Sequence, residues 1–345
     1  MNENHEPSVR QTTQVSRARP GTTLVDLARH ALTHPAQRLT LAGSLICLVL
    51  LSLLFRDNLG HFYYAWTTDE NYSHGFLVPL LSIYFANQIA GRYPVRVHAG
   101  MLLGSLLLGF ALAVRLVTTA LPIPFLGDLA LLIGLPGIFS LLFGSEALRR
   151  YWFAFFFLIF MVPLPIAMYS RIASPLQLLA SRLASLEMNA TGVPVLCEGN
   201  RITLPGGIQM FVAEACSGMR QMTGFLALTT AVAYLTTRPR WYRLIVVLSA
   251  LPIALTANVS RIVLTGYIMY YVNPQYASGA YHTVEGILMM GLGLLLLNLL
   301  CGVLDQVAPN CSTRSPGAES GLLDLPVADD QPLAPPGRLL QSELS

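Results

Sequence analysis

Residues 283–304, TVEGILMMGLGLLLLNLLCGVL, decide the fold, because this run of 22 residues contains one charged side chain, Glu285. As an α-helix it spans about 33 Å, which matches a bilayer hydrocarbon core of about 30 Å. Similar runs recur along the chain, of which 54% is hydrophobic and 11% charged. Ordinary soluble domains carry about 25% charged residues, so this composition predicts an integral membrane protein.

Eight apolar segments have spanning or near-spanning length. They lie at 39–56, 75–91, 99–118, 124–143, 151–169, 217–235, 243–270 and 283–304. The predicted fold is therefore an all-α polytopic membrane protein of about eight transmembrane helices. The polar arm 1–37 and the tail 305–345, rich in Pro, Gly, Ser and acidic residues, are expected to be disordered or flexible, which leaves 38–304 as the transmembrane domain.

The arginines set the predicted orientation, because short cytoplasmic loops are enriched in positive residues. Arginines occur in the N-terminal arm and in every second loop after it: Arg92, Arg96, Arg149, Arg150, Arg238, Arg240 and Arg243. An even helix count with both termini in the cytoplasm explains this alternation. The connections 57–74, 119–123, 170–216 and 271–282 are then predicted at the outer face.

The outer connection 170–216 is the longest and the least apolar. It begins with an amphipathic stretch, after which turn residues alternate with short β-type segments. We therefore predict a small helix/hairpin insertion at the outer face, before the sixth span.

Composition also excludes several classes of function. All 21 basic residues are arginine, which removes lysine-based chemistry such as Schiff bases and P-loops. The net charge of +3 does not describe a nucleic-acid surface. The five cysteines show neither CxxC nor paired Cys/His spacing, so no metal and no cofactor are expected.

Cys216 is the candidate nucleophile, at the predicted outer start of the sixth span. A helix N-terminus favours a thiolate, and Arg220, one turn further, adds positive charge. Glu214 lies beside it in the sequence. Cysteines in membrane proteins are more often small apolar fillers, so the position at the lipid–water boundary is what favours a chemical role.

Two further polar groups are predicted near the outer ends of the last two spans. Arg261 lies in an apolar segment, where an arginine is costly unless it is paired or faces a wet cavity; the alternative is that it snorkels to the head groups. Asn258, one turn earlier, shares its helix face. His282 alone would be an ordinary loop histidine, but it can exchange protons near neutral pH. With Cys216, these residues supply the nucleophile, oxyanion partner and proton donor of acyl transfer.

At these residues the chain resembles the exosortase/archaeosortase family of membrane cysteine transpeptidases, and most closely an exosortase proper. The resemblance extends over roughly 60–300 and rests on the order and spacing of six blocks. They are DENYSHGFLVPL at 69–80, VPLP at 162–165, GNRITLP at 199–205, AEACSGMR at 213–220, NVSR at 258–261 and YH at 281–282.

The resemblance implies a multi-pass enzyme of the bacterial inner membrane with its active site facing the periplasm. Its partners would be exported proteins that end in a PEP-CTERM-like sorting signal, made of a short motif, one transmembrane helix and a basic tail. The resemblance assigns catalysis to Cys216, Arg261 and His282, through a thioester that passes to an acceptor or to water. His74, in the first block, is a candidate substrate contact or merely a loop residue.

Two other classes of function fit these residues less well. A transporter or flippase would more often show repeat symmetry and polar groups near the midplane, whereas here they collect near one face. A non-catalytic protein that binds the sorting signal is the second alternative. A disulfide between Cys197, the other outer cysteine, and Cys216 would silence the nucleophile.

Overall fold

The computed structural model describes residues 35–90, 101–121, 123–212, 219–273 and 280–307. Within these ranges the chain forms eleven α-helices and one small antiparallel sheet. The helices are α1 Pro35–Leu54, α2 Arg56–Thr68, α3 Leu77–Ala90, α4 Met101–Ala120, α5 Pro124–Phe143, α6 Ser145–Phe157, α7 Ile166–Ala190, α8 Met219–Leu235, α9 Arg240–Leu248, α10 Ala250–Tyr271 and α11 Ala280–Val307. The protein is therefore an α-helical membrane protein.

Four helical segments in the described chain are long and apolar enough to cross a membrane: Leu102–Ala120, Pro124–Phe143, Arg240–Tyr271 and Val284–Val307. The count rises to six if each of two bent helix pairs forms one span. Helix α8 is apolar but shorter, and α3 has only 14 residues. The predicted number of eight spans is not reached by this criterion and stays a prediction.

The first bent pair shows that the expected loop 57–74 is largely helical. Helix α2 turns away from α1 by 72°. It buries Asn58, Phe62 and Ala65, whose spacing of four and three residues lines one helical face. Burial of that face stabilises the helix, whose 13 residues are too few to cross a membrane alone.

The predicted span 151–169 is interrupted by a sharp break. Helix α6 passes into a 3₁₀ turn, Leu158–Met161, and α7 starts at Ile166 after a bend of 81°. Pro163 and Pro165 lie in the break, where they cannot donate the backbone hydrogen bonds that a continuous helix needs. Helix α7 therefore continues the chain in a new direction.

Three side chains from α2 and from the 3₁₀ turn Glu70–Phe76 form hydrogen bonds across this break. Trp66 Nε1 donates to the Met161 carbonyl at 3.0 Å, and the backbone N–H of Leu164 donates to the Tyr72 hydroxyl at 3.0 Å. His74 Nε2 donates to the Phe160 carbonyl at 3.2 Å. These bonds satisfy backbone groups that the helix interruption leaves without helical partners.

The segment after α7 folds as a three-stranded antiparallel sheet. Strand β1 spans Leu196–Glu198, β2 spans Arg201–Thr203 and β3 spans Gln209–Phe211. The strand order is β1-β2-β3, so two successive turns connect neighbouring strands. The buried side of the sheet, including Ile202 and Met210, packs between α7 and α10.

Close packing of α7 against α10 fixes the element that carries Arg261. A methyl group added at Gly266 of α10 would lie 2.7 Å from Met188 Cε of α7, so the end of the Met188 side chain would have to shift to admit it. Val259, Ile262 and Val263 of α10 belong to the same buried cluster as Met188. The sheet, α7 and α10 thus form one packed unit beside the candidate site.

Candidate active site

Arg261 is held inside the protein by a carboxylate on the next helix. It lies on α10 and is 6% exposed, and its Nε donates to Glu285 Oε2 on α11 at 3.4 Å. Glu285 is 4% exposed, and the Thr265 hydroxyl donates to its other carboxylate oxygen. The pair joins α10 to α11 and satisfies a charge that burial would otherwise make very costly.

The snorkelling alternative for Arg261 is wrong, because its side chain is buried and paired. The residue lies ten positions before the end of α10, or about 15 Å along the helix axis. Asn258, three positions earlier, is fully buried. The two polar side chains therefore lie within the helix packing and do not reach along the surface towards head groups.

His282 lies in the first turn of α11, which begins at Ala280. It precedes Glu285 by three residues, less than one helical turn. The Arg261–Glu285 pair therefore brings α10 beside the helical turn that carries His282. The side chain of His282 lies outside the described part of the structure.

Cys216 and Glu214 lie outside the described residues, as does the side chain of Arg220. The described chain on the N-terminal side of this gap ends at Val212, which belongs to the same buried cluster as Ile262 and Val263 of α10. These two residues directly follow Arg261 in the sequence. The described chain therefore stops, four residues before Cys216, in an apolar cluster to which the helix of the buried arginine also contributes.

Two amide side chains hold the carbonyl of Val212. The buried Gln177 of α7 donates to it through Nε2, and Asn200 donates at 3.5 Å. On the other side of the gap, Met219 starts α8 and packs against Tyr169 and Ala173 of α7. Both ends of the cysteine-bearing segment are thus anchored on α7.

His74 lies in the 3₁₀ turn Glu70–Phe76, whereas Arg261 and Asn258 lie on α10. Its bond to the Phe160 carbonyl is part of the fastening at the α6–α7 break. Burial lowers the pKa of His74 below its ordinary value of 6.5, and burial likewise raises the pKa of Tyr72 above 10.0. Both side chains are therefore neutral at pH 7, which suits their hydrogen bonds to the backbone.

Sequence reasoning missed Glu285, Thr265 and Gln177. Glu285 carried a usable signal, because an acidic residue in an apolar span calls for a buried partner, and Arg261 was the available cation. Thr265 and Gln177 carried none, since their roles depend on which helices pack together. Cys197 Sγ lies 3.6 Å from the Gly199 carbonyl oxygen, and the alternative of a disulfide with Cys216 concerns a residue outside the described ranges.

No group of three or more His, Cys, Asp or Glu side chains with metal-binding geometry occurs in the described ranges. The polar groups assembled here are instead a guanidinium, a carboxylate and a hydroxyl, which orient one another. Such a set can stabilise negative charge that develops on a bound carbonyl, since a preorganised cation next to a reacting oxygen lowers the barrier.

The fold and this site define an α-helical membrane protein with a preorganised polar centre between its helices. Its sequence matches the model of the transmembrane exosortase family over residues 66–299. The chain therefore belongs to the transmembrane exosortase family, whose members are cysteine-type sorting transpeptidases of membranes. No curated protein and no solved structure matched the chain.

Proposed function

We propose that this exosortase cleaves C-terminal PEP-CTERM-like sorting signals of exported proteins through a thioester on Cys216. The buried Arg261, held by Glu285 on the helix that begins with His282, is the observation that supports this proposal most strongly. A further support is that Val212, four residues before Cys216, shares a buried cluster with Ile262 and Val263, which directly follow Arg261.

In the first step the Cys216 thiolate attacks a peptide carbonyl next to the sorting motif. A carbon–sulfur bond forms, and the carbonyl electrons move onto oxygen, where Arg261 stabilises the negative charge. When the tetrahedral intermediate collapses, the carbon–nitrogen bond breaks. His282 donates a proton to the departing amine, and the exported portion remains as a thioester.

In the second step an amine or water attacks the thioester carbonyl, and His282 accepts its proton. The carbon–sulfur bond then breaks, which regenerates the thiolate and releases the product. An amine acceptor gives transfer and water gives hydrolysis. The nature of the acceptor decides between the two outcomes.

The substrate's own transmembrane helix reaches this site from the lipid. Apolar residues of α11 next to the first turn are exposed on the protein surface, with Val284 at 61%, Ile287 at 70% and Leu288 at 57%. They offer a hydrophobic side to a helix that approaches within the bilayer. The active site would face the periplasm of the bacterial inner membrane, with both chain termini in the cytoplasm.

The test is processing of a co-expressed substrate that carries the tripartite signal. Cys216→Ala and Cys216→Ser should abolish cleavage, measured as the mass of the exported protein. Cys197→Ala, which removes another free thiol, should process normally. Arg261→Ala should retain residual turnover, about 10²–10³ below wild type. Wild-type processing by Cys216→Ala would exclude the mechanism.

A further inference from the structure

A cavity of about 420 Å³ with several polar lining residues lies where α4 turns into α5, beside the first turns of α2. Its lining includes Asp57, Asn58 and His61 from α2, and Arg115 and Thr118 from α4. None of these residues has a part in the acyl-transfer mechanism. The volume lies within the range of about 300–1,000 Å³ that is typical of small-ligand sites.

A fully buried carboxylate orients the histidine of this cavity. Asp128 of α5 is 0% exposed, and its two oxygens accept hydrogen bonds from Asn58 Nδ2 at 2.8 Å and His61 Nδ1 at 2.9 Å. Because Nδ1 donates its hydrogen bond to the carboxylate, Nε2 is the ring nitrogen left to accept one from a ligand. His61, whose side chain is 35% exposed, therefore offers an oriented hydrogen-bond acceptor.

Arg115 supplies hydrogen-bond donors to the same cavity. Its Nε donates to the Leu54 carbonyl at 3.1 Å and its Nη2 to Asp57 Oδ2 at 3.0 Å. A guanidinium has five N–H groups, so these bonds leave further donors for a ligand. The side chain is only 16% exposed and lies over the Phe55 ring, which keeps the guanidinium in place.

The cavity thus has a donor side at Arg115 and an acceptor side at His61 and Asp57. A ligand with one anionic and one hydrogen-bond-donating cationic group complements both sides. A purely anionic ligand would instead meet the carboxylate of Asp57. A purely cationic ligand would leave the donors of Arg115 unused.

The surroundings of the cavity are those of a lipid site. Helices α4 and α5 are both candidate membrane spans, and the cavity lies at the end where they join. The apolar window of α4 is only 11% buried. Beside Arg115, the side chains of Leu116, Val117 and Leu121 are 72%, 50% and 51% exposed. Acyl chains of a lipid can therefore lie along α4 while its head group enters the cavity.

We propose that this cavity binds the head group of a zwitterionic phospholipid that carries a primary ammonium. The phosphate accepts hydrogen bonds from Arg115, and the ammonium donates to His61 Nε2 and to Asp57. Asp128 acts through His61, since it fixes the imidazole tautomer. The acyl chains lie on the exposed apolar side of α4.

The test is native mass spectrometry of the full chain in detergent with titrated lipids. Phosphatidylethanolamine should bind at least about tenfold more tightly than phosphatidylcholine, whose quaternary ammonium has no N–H group, and than phosphatidylglycerol, which has no ammonium. Arg115→Gln and His61→Phe should each weaken binding of phosphatidylethanolamine by about tenfold or more. Arg171→Gln, a change at an exposed arginine of α7, should bind as wild type.

Equal binding of phosphatidylethanolamine and phosphatidylcholine would overturn the proposal, because the ammonium donors would then have no role. Tighter binding of phosphatidylglycerol would show an anion site instead. Soluble phosphoethanolamine that binds as tightly as the lipid would show that the acyl chains contribute nothing, which contradicts a lipid site. The comparison of lipids uses the unaltered chain, so it decides the question even if a variant fails to fold.

Discussion

Substitution of Glu285 by alanine removes the partner of a buried arginine and should destabilise the protein strongly. At the observed 3.4 Å between Arg261 Nε and Glu285 Oε2, the attraction is about 5 kcal/mol for an effective dielectric constant of about 20. Loss of one partner of a buried pair typically costs about 3–5 kcal/mol, because the remaining charge stays desolvated. We expect Glu285→Ala to melt roughly 10 °C below wild type.

The assay is thermal unfolding of the purified protein in detergent, together with processing of a co-expressed substrate. The control is Glu187→Ala, because Glu187 is exposed on α7 and should leave the melting temperature unchanged. The double variant Arg261→Met/Glu285→Met has no orphan charge, so it should regain most of the stability while processing stays lost. A melting temperature for Glu285→Ala equal to that of the control would refute the structural role of the pair.

Three further predictions concern the supports of the site. Gly75→Ala should lower the melting temperature, because the new methyl group would lie 2.2 Å from Trp66 Nε1. The control Gly60→Ala should not lower it, because nothing lies within 4 Å of the added methyl group. An unchanged melting temperature for Gly75→Ala would contradict the role of Trp66 in holding the α6–α7 break. Burial lowers the pKa of His74, so as the pH falls the unfolded chain binds a proton at this histidine before the folded chain does. Thermal melts should therefore show that the wild type loses more stability between pH 7.5 and 5.5 than His74→Gln does. Gln177→Leu removes a buried hydrogen-bond donor from the Val212 carbonyl, which should lower the free energy of unfolding by about 1–3 kcal/mol. The variant should also process a co-expressed substrate more slowly. An unchanged processing rate would show that this hydrogen bond does not position the segment that carries Cys216.

The helices with clear ends could be predicted from the sequence. The expected span 124–143 coincides with α5, because Pro124 has the fixed φ that suits the first position of a helix, and Gly144, with φ 90°, ends it. The turn-rich composition after 190 likewise indicated short strands, and the structure has three of them. Such features depend on neighbouring residues alone.

The bends and the buried contacts could not be predicted in this way. The 81° bend after α6 was partly signalled by Pro163 and Pro165, but its fastening by Trp66 joins residues 95 positions apart. The pairing of Arg261 with Glu285 required knowledge that α10 packs against α11. A single sequence shows which polar residues lie in apolar segments, but tertiary packing determines which of them are in contact.

The central claim, that Cys216 carries the substrate as a thioester, is tested most directly by intact-protein mass spectrometry after rapid acid quenching of a reaction with a sorting-signal substrate. We predict an adduct on Cys216 whose mass equals the exported portion of the substrate, absent in Cys216→Ala and present in Cys197→Ala. Substrate cleavage at the normal rate in Cys216→Ala, with no adduct on any cysteine of the wild type, would contradict the account.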